Sequence, residues 1–216
     1  MFEIREYVDY RGRSPFGRWF DGLDAGAAAR VRTSLARMEA GNLANVRDVG
    51  RGVLECRISV GPGYRVYFGR DGDTLIILLG GGTKARQQRD IEGAHELWQE
   101  YRRRKQQEVR KMPLTRDFKE TVQLRAERDP AFREGLLKEG VECLLAGEVD
   151  TGKILLRDYI NATIGFEELG SLTNKPPKSL MRMFGPSGNP HARNLFEVIS
   201  CIQRHEGVQL EVKAVR

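Results

Sequence analysis

The sequence predicts two folds in series: an α+β domain with an antiparallel sheet and flanking helices, then an all-α domain that carries a helix-turn-helix. Three observations predict it. Three strand-like runs between residues 53 and 79 are separated by glycine-containing turns. From residue 117 onward apolar residues recur almost throughout at helical spacing. The charge also divides, with 21 Lys and Arg against 15 Asp and Glu in residues 1–111 and 15 of each in residues 112–216.

Residues 2–8 (FEIREYV) alternate apolar and charged, as a half-buried strand does. Ser14 before Pro15 reads as an N-cap followed by proline at the first helical position. A helix over roughly 15–23 places Phe16, Trp19, Phe20 and Leu23 on one face. A second helix, Ala25 to Ala40, turns Val31, Leu35 and Met38 inward and stops at Gly41-Asn42. The period then changes. Val53–Val60, Tyr64–Gly69 and Thr74–Leu79 are strand-like, with the turn sequences Gly61-Pro62-Gly63 and Asp71-Gly72-Asp73 between them. This is an antiparallel meander whose wholly apolar third run is central and buried. From Thr83 the chain is helical again, with Ile91, Ala94, Leu97, Trp98 and Tyr101 as its apolar stripe.

Residues 102–111 (RRRKQQEVRK) carry no packing pattern beyond Val109 and read as a solvated helix end and linker. The expected division is a domain over 1–104, a linker over 105–113 and a domain over 114–216. Helices follow at Asp117–Ala126, Pro130–Ala146, Asp150–Thr163, Gly165–Leu172, Lys178–Phe184 and Ala192–His205. Residues 174–177 form a turn, 185–190 a loop, and Val208–Val212 a terminal strand.

No apolar run approaches the ~20 residues of a membrane span. The first residues are charged and lack the apolar stretch of a signal peptide, so a cytoplasmic protein with no membrane contact is expected. Cys56, Cys143 and Cys201 are scattered, which disfavours zinc or a disulfide framework, and no metal or cofactor is expected. The excess positive charge of the first half fits a phosphate backbone or an acidic partner, and equally a solvated Arg-rich surface.

The residues that carry chemistry lie on the meander and just after it: Arg57, Tyr64, Arg65, Lys84, Arg86 and Gln88. If the 61–63 turn closes a hairpin, Arg57 and Arg65 lie close together. Like charges placed so cost stability, and a sheet tolerates them more readily with an anion between them. Lys84 emerges nearby, at the end of the central strand. Such a cluster suits binding one RNA phosphate and stabilising the charge that develops when it is attacked, worth ~3–4 kcal/mol per well-placed donor. The same spacing fits exposed sheet residues with no ligand.

Three tempting motifs fail. Gly80 to Lys84 (GGGTK) lacks the Gly before Lys and the Ser or Thr after it that a nucleotide-triphosphate loop needs. His95, beside Leu97 and Trp98, reads as structural. Glu55 and Asp90 show no pairing indicative of acid–base work.

Further on, Phe166 to Phe184 reads as helix, short turn, helix, held by Phe166, Leu169, Leu172, Leu180 and Met183. Pro176 and Pro177 start the second helix, leaving Lys175, Lys178, Ser179 and Arg182 exposed at a candidate recognition helix. Ser187, Asn189 and Arg193 add backbone contacts to DNA at the start of the next helix. An ordinary αα-hairpin with a basic face fits as well.

The order strand–helix–helix–meander, with LECRISVGPGYRVYF and LLGGGTKARQQRDI, resembles the RelE/ParE toxin superfamily over about residues 1–104. More narrowly it resembles the phage-derived, HigB-like addiction module killer branch. The resemblance implies a compact toxin that cleaves mRNA, usually on the ribosome, without metal or cofactor. The substrate's 2′-hydroxyl attacks the adjacent phosphate and leaves a 2′,3′-cyclic phosphate. Arg57 and Arg65 would then bind and stabilise the phosphate, with Lys84 assisting or moving a proton. Tyr64 would stack on a base, with Arg86 and Gln88 also contacting RNA. ParE-like members share the fold and target gyrase instead.

The stretch from DFKETVQLRAERD to IGFEELG, with PPKSLMRMFGPSGNP, resembles the HigA-like, XRE-type helix-turn-helix antidote encoded beside that toxin branch, over about residues 112–216. Met112 falls where the antidote's own start would be. Together the two resemblances imply a toxin–antitoxin pair in one chain, homo-oligomeric. Its partners would be mRNA and operator DNA, with the two parts binding each other within or between chains. The rival is a non-enzymatic DNA-binding regulator with a silent toxin part. An artificial join of two adjacent proteins is a third reading.

Overall fold

A computed structural model of the protein describes residues 1–107 and 113–213, so linker positions 108–112, with Val109 and Met112, lie outside the described residues. The chain forms two compact units, Met1–Gly135 and Leu136–Arg216.

The first unit is built on a six-stranded sheet of order β2-β3-β4-β5-β1-β6. β1 (Glu3–Tyr7) leads to α1 (Pro15–Asp21), where the Ser14 side chain accepts from Gly17 N–H with Pro15 in the first turn. α2 (Ala25–Glu39) is capped the same way by Asp24. A short strand that the sequence pattern did not announce, β2 (Val46–Asp48), pairs antiparallel with β3 (Val53–Ile58). β3, β4 (Tyr64–Asp71) and β5 (Leu75–Thr83) form the expected antiparallel meander. β5 is central, with Ile76 to Leu79 buried, because β1 pairs parallel along its other side. A 3-10 turn, Lys84–Arg86, delays the next helix, α3 (Gln87–Gln106). Gly81 lies under Trp19 of α1 and Gly82 under Asp90 of α3, so the two helices cover opposite faces of the sheet. The glycine run of residues 80–82 therefore includes two positions where a Cβ would meet a side chain stacked on the strand. On the α3 face the core joins Tyr7, Val53, Tyr67, Ile77, Leu79, Ala94, Trp98 and Tyr101.

The sixth strand corrects the expected fold class. β6 (Thr115–Asp117) pairs antiparallel with β1, bringing Arg5 opposite Asp117 and Tyr7 opposite Thr115. Arg116 reaches the fully buried Glu6 at 2.8 Å. α4 (Phe118–Arg128) then packs Phe118 edge-on against Phe16 and Phe20, ring centroids 5.5 Å away in each case. Phe132 packs against Phe20 in the same manner. Arg125 donates to the Phe20 and Leu23 carbonyls at and just after the end of α1, and its guanidinium lies 5.2 and 5.0 Å from the Phe20 and Phe132 ring centres. The first unit is thus closed by residues that sequence reasoning assigned to the second domain. The chain is a mixed α/β protein with a six-stranded sheet in its N-terminal part and helices after it. It is not an α+β domain followed by a distinct all-α domain. The physical reason is that β1 would otherwise be an open edge beside an uncovered aromatic face.

α5 (Pro130–Leu145) spans the division between the units. The second unit continues with α6 (Val149–Ala162), α7 (Gly165–Thr173), α8 (Pro177–Met183) and α9 (Ala192–Glu206). Leu155, Ile160, Phe166, Leu169, Leu180, Phe184, Val198 and Ile202 are among its buried residues. Asn174, in the left-handed conformation at φ 53°, ends α7. Residues 208–213 have no regular structure, so the expected terminal strand at 208–212 is not formed. That stretch makes no ladder; its Leu210 N–H is taken by the Gln203 side chain.

Candidate functional site

The 61–63 turn does close a hairpin, and Arg57 and Arg65 become direct cross-strand partners. Between them sits an anion supplied by the protein itself. Glu55, two residues before Arg57 and so on the same face, is fully buried. Its Oε2 accepts from Arg47 Nε at 2.7 Å and from Arg57 Nε at 3.0 Å. Its Oε1 accepts from Gln87 Nε2 at 2.7 Å and lies 3.2 Å from Arg65 Nε, an ion pair whose N–H is not aimed at the oxygen. Burial pushes the Glu55 carboxyl up, but the hydrogen bonds from Arg57 and Arg47 outweigh it and hold the group below its usual range. One carboxylate thus fixes three guanidiniums and still leaves the face positively charged.

The two central arginines differ in access. The Arg57 side chain is 45% exposed and that of Arg65 only 11%. Arg65 Nη1 donates to the Gly63 carbonyl at 2.9 Å, and the same oxygen takes the Lys84 N–H at 3.1 Å. That shared acceptor sets the exposed Lys84 beside Arg65 at the end of β5. Arg86 and Gln88 are exposed at the start of α3, where Gln88 donates to Glu92 at 3.1 Å. Tyr64 is not brought to this cluster. Next to Arg65, it turns to the opposite face, its ring edge-on to Trp19 at 6.4 Å.

Gln87, Glu55, Arg47 and Asp90 complete the site and were missed in the sequence. Signals existed for two of them. Glu55 shares the parity of Arg57 along its strand, and Gln87 lies one helical turn before Ile91 on the inward stripe. For Arg47 and Asp90 the placement is tertiary. Asp90 packs over Gly82, the register partner of Arg65. Burial pushes its carboxyl up, and Arg86 and Arg89 offset only part of that. Tyr67, opposite Glu55 on β4, has a buried hydroxyl that meets hydrogen-bond geometry with no group. Burial, then Glu55 and Asp90, hold its phenol above the usual range. His95 Nε2 lies 3.1 Å from the Val49 carbonyl, as a donor holding the β2–β3 loop. Among the described residues no group of three His, Cys, Asp or Glu is placed to hold a metal ion, and all three cysteines are buried.

In the second unit, Lys178, Ser179 and Arg182 are exposed on α8, and Ser187, Asn189 and Arg193 are exposed in and after the following loop. Lys175 is committed to an ion pair with Glu197 at 3.0 Å. It also lines a groove of about 400 Å³ with Glu167, Ser171, Asn174, Pro176 and Pro177. The loop is anchored from below: the buried Lys153 donates to the Gly188 carbonyl at 2.6 Å and pairs with Asp150 at 2.8 Å. Among the described residues no helix is long and apolar enough to cross a membrane.

Fold and site define a mixed α/β protein whose sheet presents a cationic cluster built on one buried carboxylate. An uncharacterized protein of Haemophilus influenzae is 38% identical over 86 residues, which is 39% of this chain and 87% of that protein. The chain belongs to the same family as that protein. No family model and no solved structure matches.

Proposed function

We propose that the first unit is a metal-independent endoribonuclease of the toxin type, and that the helices after it neutralise it and bind operator DNA, a toxin and its antidote in one chain. The observation that carries the reading is the Arg57–Arg65 pair: two guanidiniums in register, one accessible and one buried, both oriented by Glu55. Preorganised cations of this kind bind a phosphate and stabilise the extra charge on it as the 2′-oxygen attacks. Lys84 adds a third charge at the same end of the sheet. The exposed Lys178, Ser179 and Arg182 on α8 suit phosphate and base-edge contacts in the major groove. This reading puts the chain in the cytoplasm, with mRNA, free or on the ribosome, and operator DNA as its partners.

Residues 1–135 are the piece to test, because cutting at 105 would remove Phe118 and Phe132 from the aromatic core. Expressed alone, they should arrest growth and cleave mRNA in the presence of a chelator, leaving 2′,3′-cyclic phosphate ends. The full chain should be far less toxic, and Arg57→Ala or Arg65→Ala in residues 1–135 should restore growth. If residues 1–135 are folded and leave mRNA intact, the nuclease reading falls. A promoter-DNA gel shift then tests the regulator: binding by the full chain that weakens steeply with salt supports it.

A further inference from the structure

Two carboxylates of the α3 face, Glu55 and Asp90, have opposite surroundings. All the accepting capacity that Glu55 directs at the cluster is taken by Arg47, Arg57 and Gln87, with Arg65 alongside. A carboxylate so held is a poor base. Asp90 is the reverse. Its Oδ2 is buried with no hydrogen-bond partner, although the residue as a whole is only partly buried. It occupies the space that Gly82 leaves open, one strand across from Arg65. The Tyr67 hydroxyl and the Arg65 Nε close by are also buried without a hydrogen bond. Arg65 Nε still has its ion pair with Glu55, so the Asp90 oxygen is the stored cost, since buried polar groups are ordinarily paired. Paired carboxyls driven apart by environment mark the group that moves a proton and the group that holds charge.

We propose that Asp90 is the proton acceptor of the ribonuclease reaction, a catalytic residue beside the phosphate held by Arg57 and Arg65. The inference rests on the nuclease reading above and assigns it the base that the sequence did not reveal. In the step, Asp90 takes the proton of the substrate 2′-hydroxyl as the O2′–P bond forms and the P–O5′ bond breaks. The leaving 5′-oxygen takes its proton from water, and Asp90 later returns its own to water. Arg57 and Arg65 carry the charge on the phosphate. Burial favours the neutral carboxyl, which brings its proton affinity toward the working pH of a base. The charged and titratable groups that act on it are Arg86 and Arg89 from the approach and start of α3 and Tyr67 from β4, and Tyr67 in turn lies against Glu55 of β3 and Arg65 of β4.

The test is cleavage of a single-stranded RNA by the full chain in a chelator, over a range of pH. The readout is the ratio of variant to wild type at each pH, in which an inhibition common to both cancels. Asp90→Asn should lower kcat/KM about 100-fold, as loss of a general base does. It should also remove the acidic limb of the pH profile, while binding of an RNA with a 2′-deoxy scissile position stays within about twofold, since phosphate contacts dominate affinity. Asp90→Glu should recover part of the rate. Wild-type rate and profile in Asp90→Asn overturn the proposal and leave the nuclease reading standing. So does a loss of rate with an unchanged profile and no rescue by Glu, which is the mark of a structural role. If the folded wild type cleaves nothing where residues 1–135 also cleave nothing, the nuclease reading falls and takes the proposal with it.

Discussion

The basic residues of the sheet and those of α8 are alike in type and opposite in construction. Arg47, Arg57 and Arg65 converge on one buried carboxylate and fix one another's geometry. Lys178 and Arg182 stand exposed on a short helix. The difference teaches that the first set is part of the fold and the second is laid on it. A surface cation is worth little to stability, whereas a buried ion cluster loses much when one member goes.

The largest expected effect follows from that contrast. Glu55→Ala leaves two guanidiniums and the Gln87 amide without their acceptor and should cost about 3–5 kcal/mol in urea unfolding. Arg182→Ala should stay within about 0.5 kcal/mol of wild type. Similar costs for the two would break the comparison.

A smaller and opposite effect should come from Asp90. Its folded carboxyl sits above the usual value, so its contribution to stability is present below about pH 3.8 and is lost as pH rises through the folded value. At pH 7 the ionised group is a net cost, and Asp90→Asn should be more stable than wild type there, with the gain vanishing in acid. Glu55 runs the other way. Its folded carboxyl is depressed, so its stabilisation is present above its ordinary pKa of 4.5 and lost as pH falls through the folded value. Stability curves of the two variants against pH should therefore diverge from wild type in opposite directions near neutral pH, Asp90→Asn above it and Glu55→Ala below it, and the differences that these shifts cause should shrink in acid. An Asp90→Asn chain less stable than wild type at pH 7 would mean that the carboxylate is stabilising, and would sharpen the comparison against the base assigned here.

The smallest effect on folding should be the most informative about DNA. Lys178→Ala and Arg182→Ala should leave thermal unfolding unchanged, yet each should reduce the slope of log affinity against log salt by about 1 if the side chain contacts a phosphate. An unchanged slope in both would leave α8 without a role in DNA binding.

What the sequence made legible follows the range of the interactions. The exposure of Lys178, Ser179 and Arg182 on α8 was legible because helical period and proline placement are local. The Arg57–Arg65 pair was found because strand parity and a Gly-Pro-Gly turn are nearly so. Glu55 was set aside, although its parity with Arg57 placed it in the cluster, because a carboxylate with no carboxylate partner was judged idle. The anion expected between the arginines was read as a ligand when the chain supplies one. Asp90 came from the stacking of α3 over Gly82, and nothing local records that. The gravest error was at the junction. Thr115–Asp117 is three polar residues with no strand signature, and only the open edge of β1 and the Phe16–Phe20 face recruit it and Phe118 into the first unit.

The central claim is that the Arg57–Arg65 pair holds an RNA phosphate under attack. Its most direct test is the rate of RNA cleavage by residues 1–135 in a chelator, with the product ends identified, for wild type and Arg65→Ala. The account predicts 2′,3′-cyclic phosphate ends and a loss of about 100-fold or more in the variant. An equal rate in a folded Arg65→Ala protein, or products ending in a 3′-hydroxyl, would contradict it.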